Sequence, residues 1–159
     1  MKISEITGND SYFEDFVVGQ VIRHARGKTV TELENVLITN LVMNSADGHF
    51  NEHRMQNSSF KSCLSYGGVN LSLVFGLATQ DTAENALSEL GIDKIRFVAP
   101  VFHGDTVYAV TEVLEVSEAD RPDAGVVRFV HTGINQHDKV VVQGERRVLI
   151  KRRSHWGGR

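Results

Sequence analysis

Three kinds of polar group fall within one short stretch, Asn44-Ser45-Ala46-Asp47-Gly48-His49-Phe50: an amide, a carboxylate and an imidazole. An imidazole titrates at about 6.5 when unperturbed, so His49 is the residue type suited to carry a proton between water and a substrate carbon. Asn44 can orient a water through its carbonyl oxygen and amide, yet it cannot accept a proton as a carboxylate does. Asp47 offers a carboxylate two residues before His49, next to Gly48, whose backbone freedom suits an irregular segment. Asp before Gly is equally the chemistry of a plain turn. Further along, Gly67-Gly68 opens an apolar run, where the unpaired N–H groups and positive dipole end of a helix favour an oxyanion. Two glycines there would also simply permit close packing of the helix entry. Tyr66 beside them is a hydrogen-bond donor or a pocket wall, and Asn70 and Ser72 are further polar groups for a pocket.

His53 and His103 lack the company of Cys or carboxylates at ligand spacing, and zinc sites use three or four ligands, so no metal is expected. No glycine-rich phosphate loop or dinucleotide fingerprint is present, so no nucleotide cofactor is expected either.

These groups need elements to hold them. Thr31-Glu32-Leu33-Glu34 reads as a capping box ahead of a helix from about Glu32 to Asn44. Leu33, Val36, Leu37, Asn40, Leu41 and Asn44 follow a three-four spacing, which predicts a buried stripe with Asn44 pointing inward. Asn51 to Ser58 predicts a short helix. Val69 to Thr82, entered through Gly67-Gly68, leaves no clean polar face and predicts a helix enclosed by a sheet. From Ile92 the period becomes strand-like: Lys94 to Val98, Thr106 to Val116, Val126 to Ile134 and Lys139 to Lys151 are Val-rich and separated by turn residues. The last three predict an antiparallel meander, and an early strand near Val21 to Thr29 completes the sheet.

The chain has 159 residues, 41% of them hydrophobic and 23% charged, which fits one domain over 1–159 with a sizeable core. No apolar run approaches the roughly 20 residues of a membrane span, and the N-terminus lacks the apolar stretch of a signal peptide, so a cytoplasmic protein is expected. Cys63 is the only cysteine, which excludes an intramolecular disulfide. A net charge of −3 argues against nucleic acid as the main partner. Six of the seventeen basic residues, Arg146, Arg147, Lys151, Arg152, Arg153 and Arg159, gather at the C-terminus, as a solvated strand end or an anion site.

The order of elements is α+β. Joined to Tyr12 to Gln20, to the Lys28 to Glu32 lead into the first helix, and above all to Phe97-Val98-Ala99-Pro100-Val101-Phe102-His103-Gly104-Asp105-Thr106-Val107, it resembles the MaoC-like dehydratase family. The resemblance covers about Tyr12 to Arg153 and implies a hot-dog fold, a curved antiparallel sheet wrapping a central helix. That family's catalytic segment has Asp, four intervening residues, then His, with Asn and Pro between. Here Asn44 and His49 hold the two ends, and Ala46 and Asp47 stand in the Asn and Pro places. The Asn variant is similar to the branch that includes mesaconyl-CoA hydratase, or β-methylmalyl-CoA dehydratase, a fused double-length chain. Leu64-Ser65-Tyr66-Gly67-Gly68 matches a stretch that commonly carries His-Gly, with Tyr66 in the His place.

The resemblance implies an enzyme, a hydro-lyase that reversibly hydrates a short or branched enoyl-CoA. His49 would be its general acid/base, Asn44 its water positioner and Gly67 its oxyanion donor. Asp47 is a further catalytic candidate, with Tyr66, Gly68 and Arg96 on the substrate. No cofactor is implied beyond the coenzyme A of the acyl-CoA substrate, whose phosphates Arg96, Lys94 or the Arg152-Arg153 end would meet. A homodimer joined edge to edge is implied as well. Two other readings suit such a pocket: an acyl-CoA thioesterase with Asp47 or another carboxylate activating water, and a non-catalytic acyl-CoA binding module.

Overall fold

The structure, a computed structural model, describes residues 11–157. The first helix begins where its cap predicts. The Glu34 N–H donates to Thr31 Oγ1 at 3.3 Å, and the Glu34 carboxylate accepts from the Thr31 N–H at 3.3 Å and hydroxyl at 2.6 Å, starting α1 at Glu32–Leu41. Lys28, 2.7 Å from the same carboxylate, and Thr31 together lower the Glu34 pKa to about 2.

α1 stops at Leu41 rather than Asn44. Met43 turns into the left-handed region at φ 58°, its N–H returns to Asn40 O at 2.9 Å and the Asn44 N–H returns to Thr39 O at 3.0 Å. These two bonds are a Schellman cap, and they carry Asn44 off the helix instead of onto its buried stripe. The stripe itself is also corrected. Asn35 and Thr39 face the interior of the molecule, while Leu33, Leu37 and Leu41 are 76%, 54% and 73% exposed. A short helix, α2, spans Glu52–Met55, with the Asn51 side chain capping the Arg54 N–H at 3.1 Å.

The long helix α3 spans Gly67–Thr82. Val69, Asn70, Val74, Ala78 and Thr82 are buried against the sheet, whereas Ser72, Gly76 and Gln80 are exposed. The sheet therefore wraps one side of α3, and the full enclosure expected from its composition is not reached within one chain.

Five strands, β1 (Val21–Thr29), β2 (Ala86–Phe97), β3 (Thr106–Glu118), β4 (Ala124–Asn135) and β5 (Val140–Lys151), form one sheet in the order β1-β3-β4-β5-β2. All neighbours are antiparallel, and β3-β4-β5 is the expected meander. β2 starts at Ala86, well before the expected Lys94. Its register against β5 shifts three times and Lys94 sits at φ 50°; each bulge breaks the two-residue alternation by which a strand is read. β2 is an edge strand, and Leu90, Ile92, Ile95 and Phe97 on it are all more than 40% exposed. A short helix, α4 (Arg153–Trp156), ends the described chain.

The core has two apolar clusters. One gathers Phe13, Phe16, Val113, Phe129, Val148 and Ile150, and the other Val30, Val74, Val107, Ala109, Val141 and Val142. Between them a polar row runs under α3. Asp81 lies 2.6 Å from His24 Nδ1, His24 Nε2 lies 2.7 Å from Thr111 Oγ1, and that hydroxyl lies 2.7 Å from His131 Nδ1. Burial, with Arg146 and His24 adding repulsion, pushes the His131 pKa down to about 3.

Three arginines of the basic C-terminal run are tied into the fold. Arg146 meets Glu89 at 2.7 Å, Arg152 pairs with Glu118 and lies 4.4 Å over the Phe13 ring, and Arg153 pairs with Asp15 and lies 4.6 Å over Tyr12. Arg159 lies outside the described residues. Among the described residues no helix is long and apolar enough to cross a membrane.

Candidate active site

His49 ends a single 3-10 turn, Asp47–His49, that follows the α1 cap. The chain then loops back so that the Leu64 N–H bonds Gly48 O and the Ser65 N–H bonds Val101 O, both at 2.8 Å. Leu64 also bridges Phe102 as an isolated antiparallel pair. Three remote segments thus meet at the mouth of α3: the His49 turn, the Leu64-Ser65-Tyr66 approach and the Val101 to His103 bend.

One side chain joins all three. Asn35 is fully buried, and its Nδ2 lies 3.1 Å from His49 O, 3.4 Å from Leu64 O and 3.0 Å from His103 Nε2. Its Oδ1 accepts the Tyr66 N–H at 2.8 Å, which fixes the orientation of the amide. His103 consequently presents an unprotonated Nε2 to it. The sequence reading missed Asn35. The one signal available was an uncharged amide between Glu34 and Val36, four residues before Thr39, the other buried position of the helix.

His49 Nδ1 lies 2.9 Å from Leu64 O. A carbonyl oxygen only accepts, so Nδ1 carries the hydrogen and Nε2 of the neutral ring keeps its lone pair. The ring meets Tyr66 edge-on at 5.4 Å between centroids. His49, Tyr66, Gly67 and Gly68 line one pocket of about 660 Å³, whose apolar wall includes Phe60, Leu71, Phe97 and Val98. Gly67 and Gly68 are the first two residues of α3, where N–H groups have no intrahelical acceptor. A Cβ at Gly67 would lie 2.8 Å from the Phe97 ring, and one at Gly68 would lie 2.5 Å from the Tyr66 ring. The two glycines therefore serve close packing, and that packing is what brings the helix mouth to the pocket floor.

The structure does not bring every expected residue here. Asn44 Oδ1 accepts the Ala46 N–H at 3.0 Å in a local turn, and Asn44 does not line the pocket. Asp47 does not line it either. Its carboxylate accepts from Asn51 and pairs with Arg54, which hold its pKa below the ordinary carboxylate range. No carboxylate lines the pocket among the described residues. Arg96 is exposed on β2, next in sequence to Phe97 of the pocket wall and without an ion-pair partner among the described residues. Of the other candidates for phosphate contact, Lys94 is 3.0 Å from Glu145, and Arg152 and Arg153 hold the pairs described above. No cluster of metal-ligating side chains is present among the described residues.

A five-stranded antiparallel sheet curled over one long helix, with the pocket at that helix's N-terminus, is the hot-dog fold. The family model for mesaconyl-CoA hydratase matches residues 4–152, and the chain belongs to that family. The chain is 37% identical to β-methylmalyl-CoA dehydratase of Chloroflexus aurantiacus over 76% of its own length and 34% of that protein's. It is 32% identical to the (R)-specific enoyl-CoA hydratase of Rhodospirillum rubrum, over 89% of this chain and 93% of that one. A solved MaoC-domain protein from Chloroflexus aurantiacus superposes with a TM-score of 0.84 at 31% identity, covering 92% of this chain and 46% of that one. The chain spans from about a third to under half of the length of the mesaconyl-CoA hydratases and β-methylmalyl-CoA dehydratase it matches.

Proposed function

We propose that the protein is an acyl-CoA hydratase/dehydratase that reversibly adds water to a short or branched enoyl-CoA. The observation that carries this reading is His49, held by Leu64 O as the Nδ1–H tautomer, in one apolar pocket with the N-terminus of α3. The Nε2 lone pair takes a proton from water as its oxygen bonds to the β-carbon. The electron pair of the double bond moves toward the thioester oxygen, which the Gly67 N–H receives. With no carboxylate lining the pocket, the same imidazolium returns the proton to the α-carbon, so a single titrating group serves both halves of the addition. Asn44 shapes the turn that delivers His49, Asp47 braces α2 through Asn51 and Arg54, and Tyr66 and Gly68 frame the acyl group.

The reaction needs no cofactor beyond the coenzyme A of the substrate, with Arg96 at the pocket rim for its phosphates. The exposed apolar residues on β2, the edge strand nearest the pocket, support a homodimer that pairs this edge with its copy. The free thiol at Cys63 suits a cytoplasmic protein.

Loss of absorbance of the conjugated thioester, followed with crotonyl-CoA and mesaconyl-CoA for wild type and His49→Ala, tests the reading. Turnover that His49→Ala abolishes supports it, and turnover unchanged by that substitution removes it. The missing carboxylate favours one other reading, a non-catalytic acyl-CoA binding module. Saturable acyl-CoA binding with no turnover in wild type identifies that case.

A further inference from the structure

Resting on that reading and extending it, we infer that Asn70 is a second hydrogen-bond donor to the thioester oxygen, beside the Gly67 N–H. Asn70 stands three residues after Gly67, on the same face of α3. Helical side chains tilt back toward the N-terminus, which carries its amide over the first turn. The amide is held there, because the Ser65 hydroxyl donates to Asn70 Oδ1 at 2.6 Å. Ser65 is itself anchored by its N–H to Val101 O at 2.8 Å.

Ser65 and Asn70 are 6% and 5% exposed, and both line the pocket. With Oδ1 taken by Ser65, Nδ2 keeps two N–H donors with no protein partner among the described residues. Nδ2 is not sealed in the interior but opens into the pocket, so its two donors are free to meet a ligand oxygen there. The helix mouth beside it presents the Gly67 N–H, and His49 Nε2 stands in the same pocket. One oxygen bound by both donors, with its neighbouring carbons within reach of His49, is the carbonyl oxygen of an acyl thioester as negative charge builds on it.

The test titrates butyryl-CoA, an unreactive thioester, against its thioether counterpart S-butyl-CoA, in which CH₂ replaces the carbonyl. Wild type, Asn70→Ala and Asn70→Asp are compared by calorimetry, and crotonyl-CoA hydration is followed on the same preparations. Wild type is expected to prefer the thioester and both variants to lose that preference, with kcat falling about 10²–10³-fold at nearly constant KM. Asn70→Asp keeps the volume and the acceptor for Ser65 but offers an anionic oxygen in place of the donor, so it carries the test if Asn70→Ala does not fold. Thioester preference unchanged in a folded variant overturns the inference, as does hydration retained by Asn70→Asp. Wild type that hydrates while the variants match it removes the role of Asn70 and leaves the hydratase reading standing. Wild type that prefers the thioester through Asn70 but hydrates nothing keeps the donor and removes the hydratase reading. Wild type that binds neither ligand overturns both.

Discussion

Asn35→Ala is expected to destabilise the protein by about 3–4 kcal/mol and to disable the site with it. The substitution leaves the Tyr66 N–H without its acceptor at 2.8 Å, and His49 O and His103 Nε2 without their donor at 3.1 and 3.0 Å. Leaving a buried polar group unmatched costs about 1–3 kcal/mol. These three are partly buried, which sets each at about 1 kcal/mol, and the small cavity at a fully buried position adds up to about 1 kcal/mol more. For a chain of this size 1 kcal/mol moves Tm by about 2–4 °C, so the midpoint should fall by about 6–16 °C in a circular-dichroism melt. Hydration is then measured well below the lower midpoint. Its rate should fall more than about tenfold, because the turn bearing His49 and the approach bearing Tyr66 lose their common tie. Asn35→Asp separates geometry from volume: it keeps an acceptor for Tyr66 but turns a carboxylate toward the carbonyls of His49 and Leu64, and it should be no better than alanine. A variant at Asn35 that melts within about 1 kcal/mol of wild type and hydrates normally would refute the reasoning.

Stability should fall as pH is lowered from about 6.5 toward about 3. The folded protein keeps His131 neutral down to about pH 3, whereas an unfolded imidazole takes up its proton at about 6.5, so in that window the unfolded chain binds the extra proton. The contribution is complete above pH 6.5 and declines by about 1.4 kcal/mol per pH unit below it; urea melts at pH 7, 5 and 4 should show the slope in wild type and a shallower one in His131→Gln. Gly67→Ala should cut kcat/KM at least about tenfold while costing under about 1 kcal/mol of stability, because the Phe97 ring it displaces is 59% exposed. Phe97→Ala in that background should recover part of the rate. Cys63, buried and with its pKa raised to about 11 by burial and by Glu52, should resist a disulfide reagent at pH 8 until the protein is unfolded in denaturant.

The strands and the starts of the helices were largely legible in the chain. Thr31 and Glu34 mark the start of α1 because a cap is a local bond, and the early strand expected near Val21 to Thr29 is β1. β2 was legible only from Lys94 on, since two register shifts break the alternation between Ala86 and Gly91 and a third follows Asp93. The inward face of α1 was misread. Periodicity shows that Leu33, Leu37 and Leu41 share a face but not that Asn35 and Thr39 on another face are the ones buried. His49, Tyr66, Gly67 and Gly68 were found by their types and order and do share a pocket. Asn35 was not found, because its value lies in partners 14, 29, 31 and 68 residues away that no local window contains.

The row of His24, Thr111 and His131 has a consequence for strand alignment. Side chains repeat every two residues along a strand, so a valine-rich meander slid by two positions would still turn oily groups inward and polar ones outward. Thr111 stands opposite His131 in the native ladder. A two-residue slide of β4 would put Phe129 or Gly133 in that place and strand an imidazole in oil with neither nitrogen answered, a penalty that the rest of the sheet has no means of imposing. The three side chains work as a checksum on the sheet: they add little to the mass of the core, yet they separate the one correct alignment from near-copies that valines alone would accept.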